Sequence, residues 1–341
     1  MPNDLAELLV SPNGGQELEL SGSDLVAKDG GRFPVVDGVA RMVTVSGENP
    51  ENEDWESTAE TFGGKWELFT DEQREKLAEF QYEWFNERFG WTEEELADHL
   101  NQCQSVLDAG TGTGYDAARY ARHCPGDVIG LDLSNSVARA ADYWSDVQNL
   151  TFVQGDIMSP PFSEGQFDLV VADQVIHHTP DCRKAFASLA RLVAPGGQLL
   201  VYVYRKKAFI RELADEHLRE VTTALPFDEC MSFCEDITEL GRQLSETEAT
   251  VTLERGVPLL GIEPGEHDVQ RLIYWCFLKC FWNPEWGEEM SVLTNFDWYH
   301  PPYASRHTRE EVQGWVEEDG LETLVMHECE SGISVRALKP N

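Results

Sequence analysis

The sequence predicts an α/β protein whose core is a doubly wound, mostly parallel sheet of seven strands. Between residues 105 and 204, short apolar runs alternate with segments of helical character, as in strands joined by crossover helices. The runs at 167–172 and 198–204 are almost continuously apolar, which is typical of strands that helices cover on both faces. Two further runs near the C-terminus predict an antiparallel hairpin that completes the sheet.

The predicted elements follow one another in a regular order. Parallel strands are predicted at 105–109, 128–131, 150–154, 167–172 and 198–204, and the hairpin strands at 321–328 and 333–338. Helices are predicted at 182–192, from the capping residue Thr92 to about residue 101, and from Thr308 to Glu318. The sequence APGG at 194–197 predicts a turn before the fifth strand.

A long segment, 205–303, interrupts the alternation of strands and helices. It is mostly helical in character and too long for a plain loop, so we predict a helical insertion after the fifth strand. Ligands of open α/β sheets bind beyond the carboxyl ends of the strands. An insertion that leaves this edge is therefore expected to act as a lid over a substrate, and residues 304–341 to complete the core.

The N-terminal region has a different character. Residues 1–45 carry short strand signals separated by turns rich in Gly and Asp, which predicts a small β-rich unit. Residues 46–104 are predicted to hold a polar, acidic linker and then helices, one of them at 70–89. The aromatic and glycine-rich sequence FGGKW at 62–66 is interpreted either as a segment that covers a bound ligand or as part of a helix that packs a tryptophan on the core.

The composition is strongly acidic, with 62 Asp and Glu against 26 Lys and Arg and a net charge of −36. We interpret this as a solvated surface suited to high salt, typical of a halophilic protein. Phosphate contacts need Lys and Arg, so nucleic acid and anionic membranes are disfavoured as partners. The first ten residues lack the basic start and the apolar run of a signal peptide, and eight scattered cysteines favour a reduced, cytoplasmic protein. The oligomeric state stays open.

One stretch carries the strongest chemical signal. A buried strand is predicted to end at Asp108, and Gly110, Gly112 and Gly114 follow at alternate positions before a helix. Glycines let the backbone approach a ligand, while an acid at the strand end attracts hydroxyl or ammonium groups and repels phosphate. A dinucleotide fingerprint requires a different glycine spacing, so this turn does not predict NAD binding.

The arrangement resembles motif I of the class I S-adenosylmethionine (SAM) dependent methyltransferases. Four further segments match this family in order: GLDLS at 130–134, QGDI at 154–157, FDLVVADQVIHH at 167–178, and LARLVAPGGQLLVY at 189–202, followed by Val203. The resemblance implies a Rossmann-like methyltransferase fold, SAM as cofactor and S-adenosylhomocysteine as product. It implies cofactor-binding roles for a set of strand-end residues: Asp108, Gly110, Thr111, Gly112, Gly114, Asp132, Leu133, Asp156, Ile157 and Asp173.

The resemblance to this family also implies a particular contact for each of several residues. Asp132 is expected to accept the ribose hydroxyls, and Leu133 to pack against the adenine. Asp156 is expected to accept from the adenine amino group, while the Ile157 backbone N–H meets a ring nitrogen. Asp168 is expected to fix the entry of its strand, which is a structural role.

The N-terminal segment resembles the small zinc-ribbon-like domain that accompanies or activates many tRNA and protein methyltransferases. The family has a Cys-Pro-x-Cys knuckle, whereas Ser11 and Gly14 stand at those places here and no cysteine precedes Cys103. The resemblance therefore implies the fold without the metal, and no metal site is expected. We interpret the segment as a β-rich docking module.

The catalytic base is open between two groups of residues. His177 and His178 titrate near neutrality and follow the fourth strand, although packing is an equally good reading of such a pair. In the segment DWYHPPY at 297–303, Tyr299, His300 and Tyr303 are candidates for the substrate pocket, because the segment resembles one that borders the substrate in small-molecule methyltransferases.

Two cysteine pairs offer another possible chemistry. Cys230 with Cys234 and Cys276 with Cys280 are each spaced four residues apart, so each pair can share one face of a helix. Four thiolates can bind zinc, but we favour buried apolar cysteines because both neighbourhoods are rich in Phe and Trp.

Three functions remain at this point. The first is a methyltransferase for a small-molecule acceptor, favoured by the aromatic insertion. The second is a tRNA or protein methyltransferase, and the third is a SAM-binding regulator without catalysis. The sequence leaves open whether the acceptor atom is oxygen, nitrogen, carbon or sulfur.

Overall fold

A computed structural model describes residues 5–12, 14–43, 61, 63–64 and 81–341 of the chain. The predicted linker at 46–57 lies outside these residues, as do most of FGGKW and the first part of the helix predicted at 70–89. The described residues belong to two compact units, Met1–Tyr204 with His307–Asn341, and Arg205–Arg306.

The strands of three or more residues in the described chain are, in order, β1 Leu18–Ser21, β2 Asp24–Ala27, β3 Arg32–Val36, β4 Val39–Arg41, β5 Ser105–Ala109, β6 Asp127–Asp132, β7 Leu150–Gln154, β8 Phe167–Ala172, β9 Val193–Arg205, β10 Thr250–Leu253, β11 Gly265–Asp268, β12 Glu322–Glu328 and β13 Gly332–Leu338, and a two-residue strand covers Arg306–His307. The helices are α1 Leu5–Leu8, α2 Glu93–Leu100, α3 Tyr115–Ala121, α4 Ser136–Tyr143, α5 Cys182–Leu192, α6 Phe209–Thr222, α7 Phe227–Glu246, α8 Val269–Cys276, α9 Gly287–Tyr299 and α10 Arg309–Glu318. Residues 81–89 are also helical, and short 3-10 helices cover Ile176–His178 and Pro258–Leu260.

The first unit is built on one mixed sheet with the order β1-β2-β3-β4-β7-β6-β5-β8-β9-β13-β12. The central strands β7, β6, β5, β8 and β9 are parallel, and β13 returns antiparallel to β9. The sheet separates two apolar clusters, one of which includes Leu107, Val170 and Val335, and the other Val106, Leu169 and Tyr202. Successive residues along a strand belong alternately to one cluster and to the other, which is the pattern of strands covered on both faces.

The N-terminal strands differ from the prediction, because they extend the central sheet instead of forming a separate docking module. β4 pairs in parallel with β7, with Ala40 opposite Val153 and Arg41 opposite Gln154. The Arg41 guanidinium donates to Asn135 Oδ1 at 2.9 Å and to Gln154 Oε1 at 3.0 Å. The sheet of this unit is therefore larger than the seven strands predicted, and β4 satisfies an edge that would otherwise be open.

A second difference concerns the sequence APGG at 194–197, which lies inside β9 instead of forming a turn before it. Gly196 has a φ of 79°, and its N–H donates to the Lys339 carbonyl at 2.8 Å. Lys339 in turn donates its N–H to the Gly197 carbonyl at 2.9 Å. Pairing with a segment distant in sequence thus keeps the glycines in the sheet.

The second unit contains helices α6, α7, α8 and α9 and the hairpin β10–β11. The sequence predicted mostly helix in this region and missed the hairpin, because β10 has only four residues and is mostly exposed, and its partner β11, GEHD, has no apolar side chain. Arg219 closes the end of α9, where its guanidinium donates to the carbonyls of Trp298, Pro301 and Pro302. In the part of the chain that the structure covers, no helix has the length and apolar character needed to span a membrane.

The start of α10 offers a test of local structure. The Thr308 hydroxyl accepts from the Glu311 N–H at 3.2 Å, and the Glu311 carboxylate accepts from the Thr308 N–H at 2.7 Å, a reciprocal capping box. Thr308→Ala is expected to lower the free energy of unfolding by about 1 kcal/mol, because the first turn loses an acceptor. Thr308→Ser, which keeps the hydroxyl, is the control in urea denaturation. Equal destabilisation by both variants would contradict the cap.

Candidate active site

The glycine turn between β5 and α3 leaves no room for a side chain at Gly110 or Gly114. Gly110, Gly112 and Gly114 have φ values of 82°, 54° and 80°. A Cβ on Gly110 would lie 2.3 Å from Val175 Cγ2, and one on Gly114 would lie 2.6 Å from Phe152 Cζ. Both the backbone conformation and the close approach of neighbouring strands therefore require glycine at these two positions.

Three acids lie at the same edge of the sheet, as the order of the parallel strands requires. Asp108 is the fourth residue of β5, Asp132 ends β6, and Asp156 follows β7 by two residues. The register places Ala109 opposite Leu131 and Asp132 opposite Gln154, so these carboxyl ends are adjacent. The structure thus brings together the acids that the sequence predicted for the cofactor.

Asp108 is buried directly beside the glycine turn. Its Oδ2 accepts from the Thr111 hydroxyl at 2.6 Å. Burial raises the pKa of Asp108 well above its ordinary value, and repulsion from Asp116, Asp173 and Asp132 adds to this effect. The carboxyl group therefore favours a neighbour that brings positive charge.

Asp132 links the turn to the loop after β6. Its Oδ2 accepts from the Gly112 N–H at 2.9 Å, and its Oδ1 accepts from the N–H and the hydroxyl of Ser134 at 2.8 and 2.7 Å. Burial raises the pKa of Asp132, and these hydrogen bonds oppose the shift. Leu133, predicted to face the adenine, is half-buried.

Asp156 occupies the corresponding place after β7. Its Oδ1 accepts from the Met158 N–H at 2.8 Å, and burial raises its pKa. The neighbouring Ile157 is buried in the apolar cluster on one face of the sheet. Asp168, predicted to be structural, accepts from the backbone N–H groups of Gln104 and Ser105 at 2.7 and 3.1 Å, at the start of β5.

Asp173 was predicted to bind cofactor, but both of its carboxylate oxygens contact Arg88. The Arg88 Nη1 and Nη2 atoms lie 2.8 and 2.7 Å from Asp173 Oδ1 and Oδ2, a bidentate pair. The Arg88 side chain is fully buried, with its guanidinium 3.7 Å from the centroid of Trp84, and it also donates to Ser334 Oγ at 3.1 Å. This pair fixes the segment after β8, and cofactor binding by Asp173 stays a prediction.

The histidines after β8 are packed inside the first unit. His177 is fully buried, and its ring centroid lies 3.8 Å from that of Tyr204 and 4.3 Å from that of His178. Burial lowers the pKa of His177 well below its ordinary value, so the ring is neutral. These contacts favour packing over the catalytic role predicted for His177. His178 is buried to a similar extent.

Tyr299 and His300, the other catalytic candidates, belong to the second unit. The buried Tyr299 hydroxyl donates to the Lys279 carbonyl at 2.8 Å, and burial raises the pKa of Tyr299 far above its ordinary value. The His300 ring stacks on Phe296 with centroids 4.6 Å apart, and burial lowers its pKa. The prediction of catalysis by Tyr299 is not supported by these contacts, because its hydroxyl closes an internal hydrogen bond.

The cysteine pairs show no metal geometry. All four are buried, and α8 ends at Cys276, so Cys280 lies beyond the helix that was expected to hold both. Within the described ranges, no group of three or more His, Cys, Asp or Glu side chains is placed to hold a metal ion.

Two residues near the site were missed by sequence reasoning. Arg88 lies 85 positions before its partner Asp173, and nothing local marks such a pair. Asp116 lies in the first turn of α3, where an acid is commonly read as a favourable interaction with the helix dipole. The sequence signal that could have identified Asp116 as a residue near the site was its position just after Gly114.

Gly110 provides a test of the close approach described above. Gly110→Ala is expected to destabilise the protein much more than Gly320→Ala, because both positions have positive φ but only Gly110 meets a neighbour. The control should cost about 1 kcal/mol, the cost of the backbone conformation alone. Chemical denaturation measures both, and adding Val175→Ala should recover part of the Gly110→Ala loss. Equal losses at the two glycines would contradict the tight contact.

Asp116 provides a test by pH. Burial and repulsion from Asp173 raise the pKa of Asp116 to about 6. The folded protein thus holds this proton more tightly than the unfolded chain, so ionisation of Asp116 lowers stability as the pH rises from about 4 to about 6. The stability of Asp116→Asn relative to wild type should therefore increase across this range and then level off. A difference that does not change with pH would contradict the shift.

Comparisons with known proteins agree with the strand-end pattern. Residues 107–201 match the family described as "Methyltransferase domain". The chain is 38% identical over 101 residues to the uncharacterized methyltransferase Rv0089 of Mycobacterium tuberculosis, covering 30% of this chain and 51% of that protein. It is 33% identical over 117 residues to the ubiquinone/menaquinone biosynthesis C-methyltransferase UbiE of Edwardsiella ictaluri, covering 33% of this chain and 47% of that one.

A solved structure is similar over a longer range. It is the 1,6-didemethyltoxoflavin-N1-methyltransferase of Burkholderia thailandensis with bound 1,6-didemethyltoxoflavin and S-adenosylhomocysteine, at a TM-score of 0.46 and 13% identity over 95% of this chain and 100% of that one. The chain spans about half the length of the sequence relatives above. The family match therefore places similarity to a methyltransferase domain at residues 107–201, within the first unit.

Proposed function

We propose that the whole chain is a SAM-dependent methyltransferase that transfers a methyl group to a small-molecule acceptor. The observation that carries this proposal is the meeting of Asp108, Asp132 and Asp156 with the glycine turn at one edge of the sheet. A turn lined by carboxylates is unsuited to a pyrophosphate. It suits a ligand with hydroxyl groups and positive charge, and SAM has a ribose, an ammonium and a sulfonium.

The proposed contacts follow the chemistry of each side chain. Asp132 is proposed to accept the ribose hydroxyls, and its present bonds to Gly112 and Ser134 hold it at the turn. Asp156 and the Ile157 N–H are proposed to meet the adenine edge. Asp108 is proposed to face the cationic end, because burial and the neighbouring carboxylates both disfavour its ionised form and a cation would compensate that cost.

Methyl transfer from a sulfonium is an in-line displacement, so the protein contributes mainly positioning. The carbon–sulfur bond breaks as the bond to the acceptor forms, and the sulfur leaves neutral in S-adenosylhomocysteine. A base is needed only where the acceptor must lose a proton. Of the candidates, His178 and His300 remain proposals, and the packing of His177 and Tyr299 makes them the weaker choices.

A small molecule is the favoured acceptor for two reasons. UbiE, which matches this chain over part of its length, is named as a quinone-biosynthesis methyltransferase. In addition, a net charge of −36 opposes the phosphate contacts of an RNA substrate. The pairing of β4 with β7 also weakens the comparison of the N-terminal strands with a separate activating domain, which had motivated the tRNA and protein alternatives.

Binding of SAM and S-adenosylhomocysteine to the full chain tests this function by calorimetric titration. Asp132→Ala is expected to weaken binding of both by at least about tenfold, since hydrogen bonds to a charged acceptor are lost. Asp127→Ala is the matched control, because Asp127 lies at the opposite end of the same strand and is exposed.

Micromolar binding in wild type and in the Asp127 variant, with weak binding in the Asp132 variant, would support the assignment. Equal affinity in all three proteins would remove Asp132 from the site. An absence of binding by the folded wild-type protein would contradict the proposed function as a whole.

A further inference from the structure

The N-terminal strands lie against the part of the sheet to which the adenine end of SAM is assigned. β4 pairs in parallel with β7, and Arg41, the last residue of β4, lies opposite Gln154, the last residue of β7. Just beyond β4, the Met42 N–H donates to the Gln154 carbonyl at 2.7 Å. Asp156, which is proposed to meet the adenine, follows Gln154 by two residues. The N-terminal segment is therefore bonded directly beside this part of the site.

The side chain of Gln154 connects Arg41 to the loop that follows β6. Its Oε1 accepts from Arg41 Nη1 at 3.0 Å, and its Nε2 donates to the Leu133 carbonyl at 3.0 Å. A guanidinium can only donate and a carbonyl can only accept, so a single orientation of the amide satisfies both neighbours. Arg41 thus determines that the amide of Gln154 turns its donor towards Leu133, the residue predicted to pack against the adenine.

Asn135 forms the second connection between Arg41 and this loop. It stands at the N-cap of α4, where an Asn side chain commonly accepts from a backbone N–H of the first turn. Here it makes no such capping bond, and its Oδ1 accepts from Arg41 Nη1 at 2.9 Å instead. A contact with a distant strand replaces the usual local one, and Arg41 consequently holds the loop at both Leu133 and Asn135.

The loop between these two anchors continues directly from the ribose-binding candidate. Asp132 precedes Leu133, and its carboxylate accepts from the Ser134 N–H at 2.8 Å. The Gly155 N–H donates to the Asp132 carbonyl at 2.9 Å, which ties the same backbone to the segment after β7. A loop that is already held in its binding conformation does not have to be ordered when the ligand arrives, and affinity is higher for that reason.

We propose that Arg41 is a positioning residue for the cofactor, which acts through Gln154 and Asn135 to hold residues 133–135 in the conformation that receives the adenine. Arg41 acts on these two side chains and not on the ligand. In this role the N-terminal strands belong to the cofactor site, in contrast to a docking module without chemistry. The proposal rests on the proposed function, because it assigns the adenine end of SAM to this loop.

Calorimetric titration of S-adenosylhomocysteine into the full chain tests the role of Arg41. Arg41→Met keeps an apolar stem and removes the donors, and it is expected to weaken binding about threefold to tenfold because the loop must then be ordered on binding. Arg32→Met is the matched control, since Arg32 is an exposed residue of β3 in the same N-terminal strands and pairs with Asp24 at 3.2 Å. We expect this control to bind like the wild type.

A second ligand separates positioning from a general loss of stability. S-inosylhomocysteine carries hypoxanthine in place of adenine and is otherwise the same molecule. A smaller folded fraction lowers the apparent affinity for both ligands by the same factor, whereas a displaced loop lowers the preference for adenine. We expect the wild type to prefer S-adenosylhomocysteine and Arg41→Met to lose part of this preference. Arg41→Lys, which keeps the charge and a donor, should recover part of it.

Gln154→Glu tests the step through the amide, because it changes a single donor group. The carboxylate keeps an acceptor for Arg41 but has no donor for the Leu133 carbonyl. Binding of S-adenosylhomocysteine should therefore weaken although the contact with Arg41 is kept. Hydrogen exchange of the ligand-free proteins reports on the loop itself, and we expect faster exchange at residues 133–136 in Gln154→Glu and Arg41→Met but not in Arg32→Met.

The possible failures are distinguishable from one another. Wild-type affinity and wild-type adenine preference in Arg41→Met would overturn the positioning role alone, and so would unchanged exchange at residues 133–136, which requires no ligand. A folded wild-type protein that binds neither ligand would contradict the proposed function, and the role of Arg41 in cofactor binding would fail with it.

Discussion

The close approach of three strand ends around Gly110 is the constraint on which the site depends. The Gly110 N–H donates to the Leu131 carbonyl of β6 at 2.7 Å, and its Cα faces Val175 in the segment after β8. Because no side chain fits between them, β5, β6 and β8 end side by side. This contact places Asp108 and Asp132 next to each other, and the proposed ligand chemistry follows from that juxtaposition.

Such crowding of carboxyl groups is unfavourable in the absence of positive charge. Burial and repulsion from neighbouring carboxylates raise the pKa values of Asp108 and Asp116. Arg88 compensates part of this charge through its bidentate pair with Asp173. It also fixes the start of the strained segment in which Gln174 has a φ of 61°. Stability and preference for a cationic ligand thus arise from the same arrangement.

The second unit shows the opposite electrostatic problem. There, cations surround Trp298, and internal carboxylates pair with Arg211 and Arg306. An acidic surface does not remove the cost of an unpaired charge in the interior, because the desolvation penalty is local.

Local patterns in the sequence determined much of the fold. The apolar runs predicted β5, β7 and β8 at their observed bounds, and the helix predicted at 182–192 matches α5. The capping boxes at Thr92 and Thr308 were also correct, because each depends on residues three positions apart. The glycine turn and its strand-end acids were recognisable because a parallel sheet brings successive strand ends to one edge.

Only the tertiary structure decided the contacts between distant segments. The pairing of β4 with β7, the ion pair of Arg88 with Asp173, and the link from Arg41 through Gln154 to Leu133 each join residues that are far apart in the sequence. Hydrophobic periodicity and helix capping do not specify such partners, because both depend only on residues within one short segment. Burial then determines which charges lose water and which gain a partner, as the buried ring of His177 and the internal hydrogen bond of the Tyr299 hydroxyl illustrate.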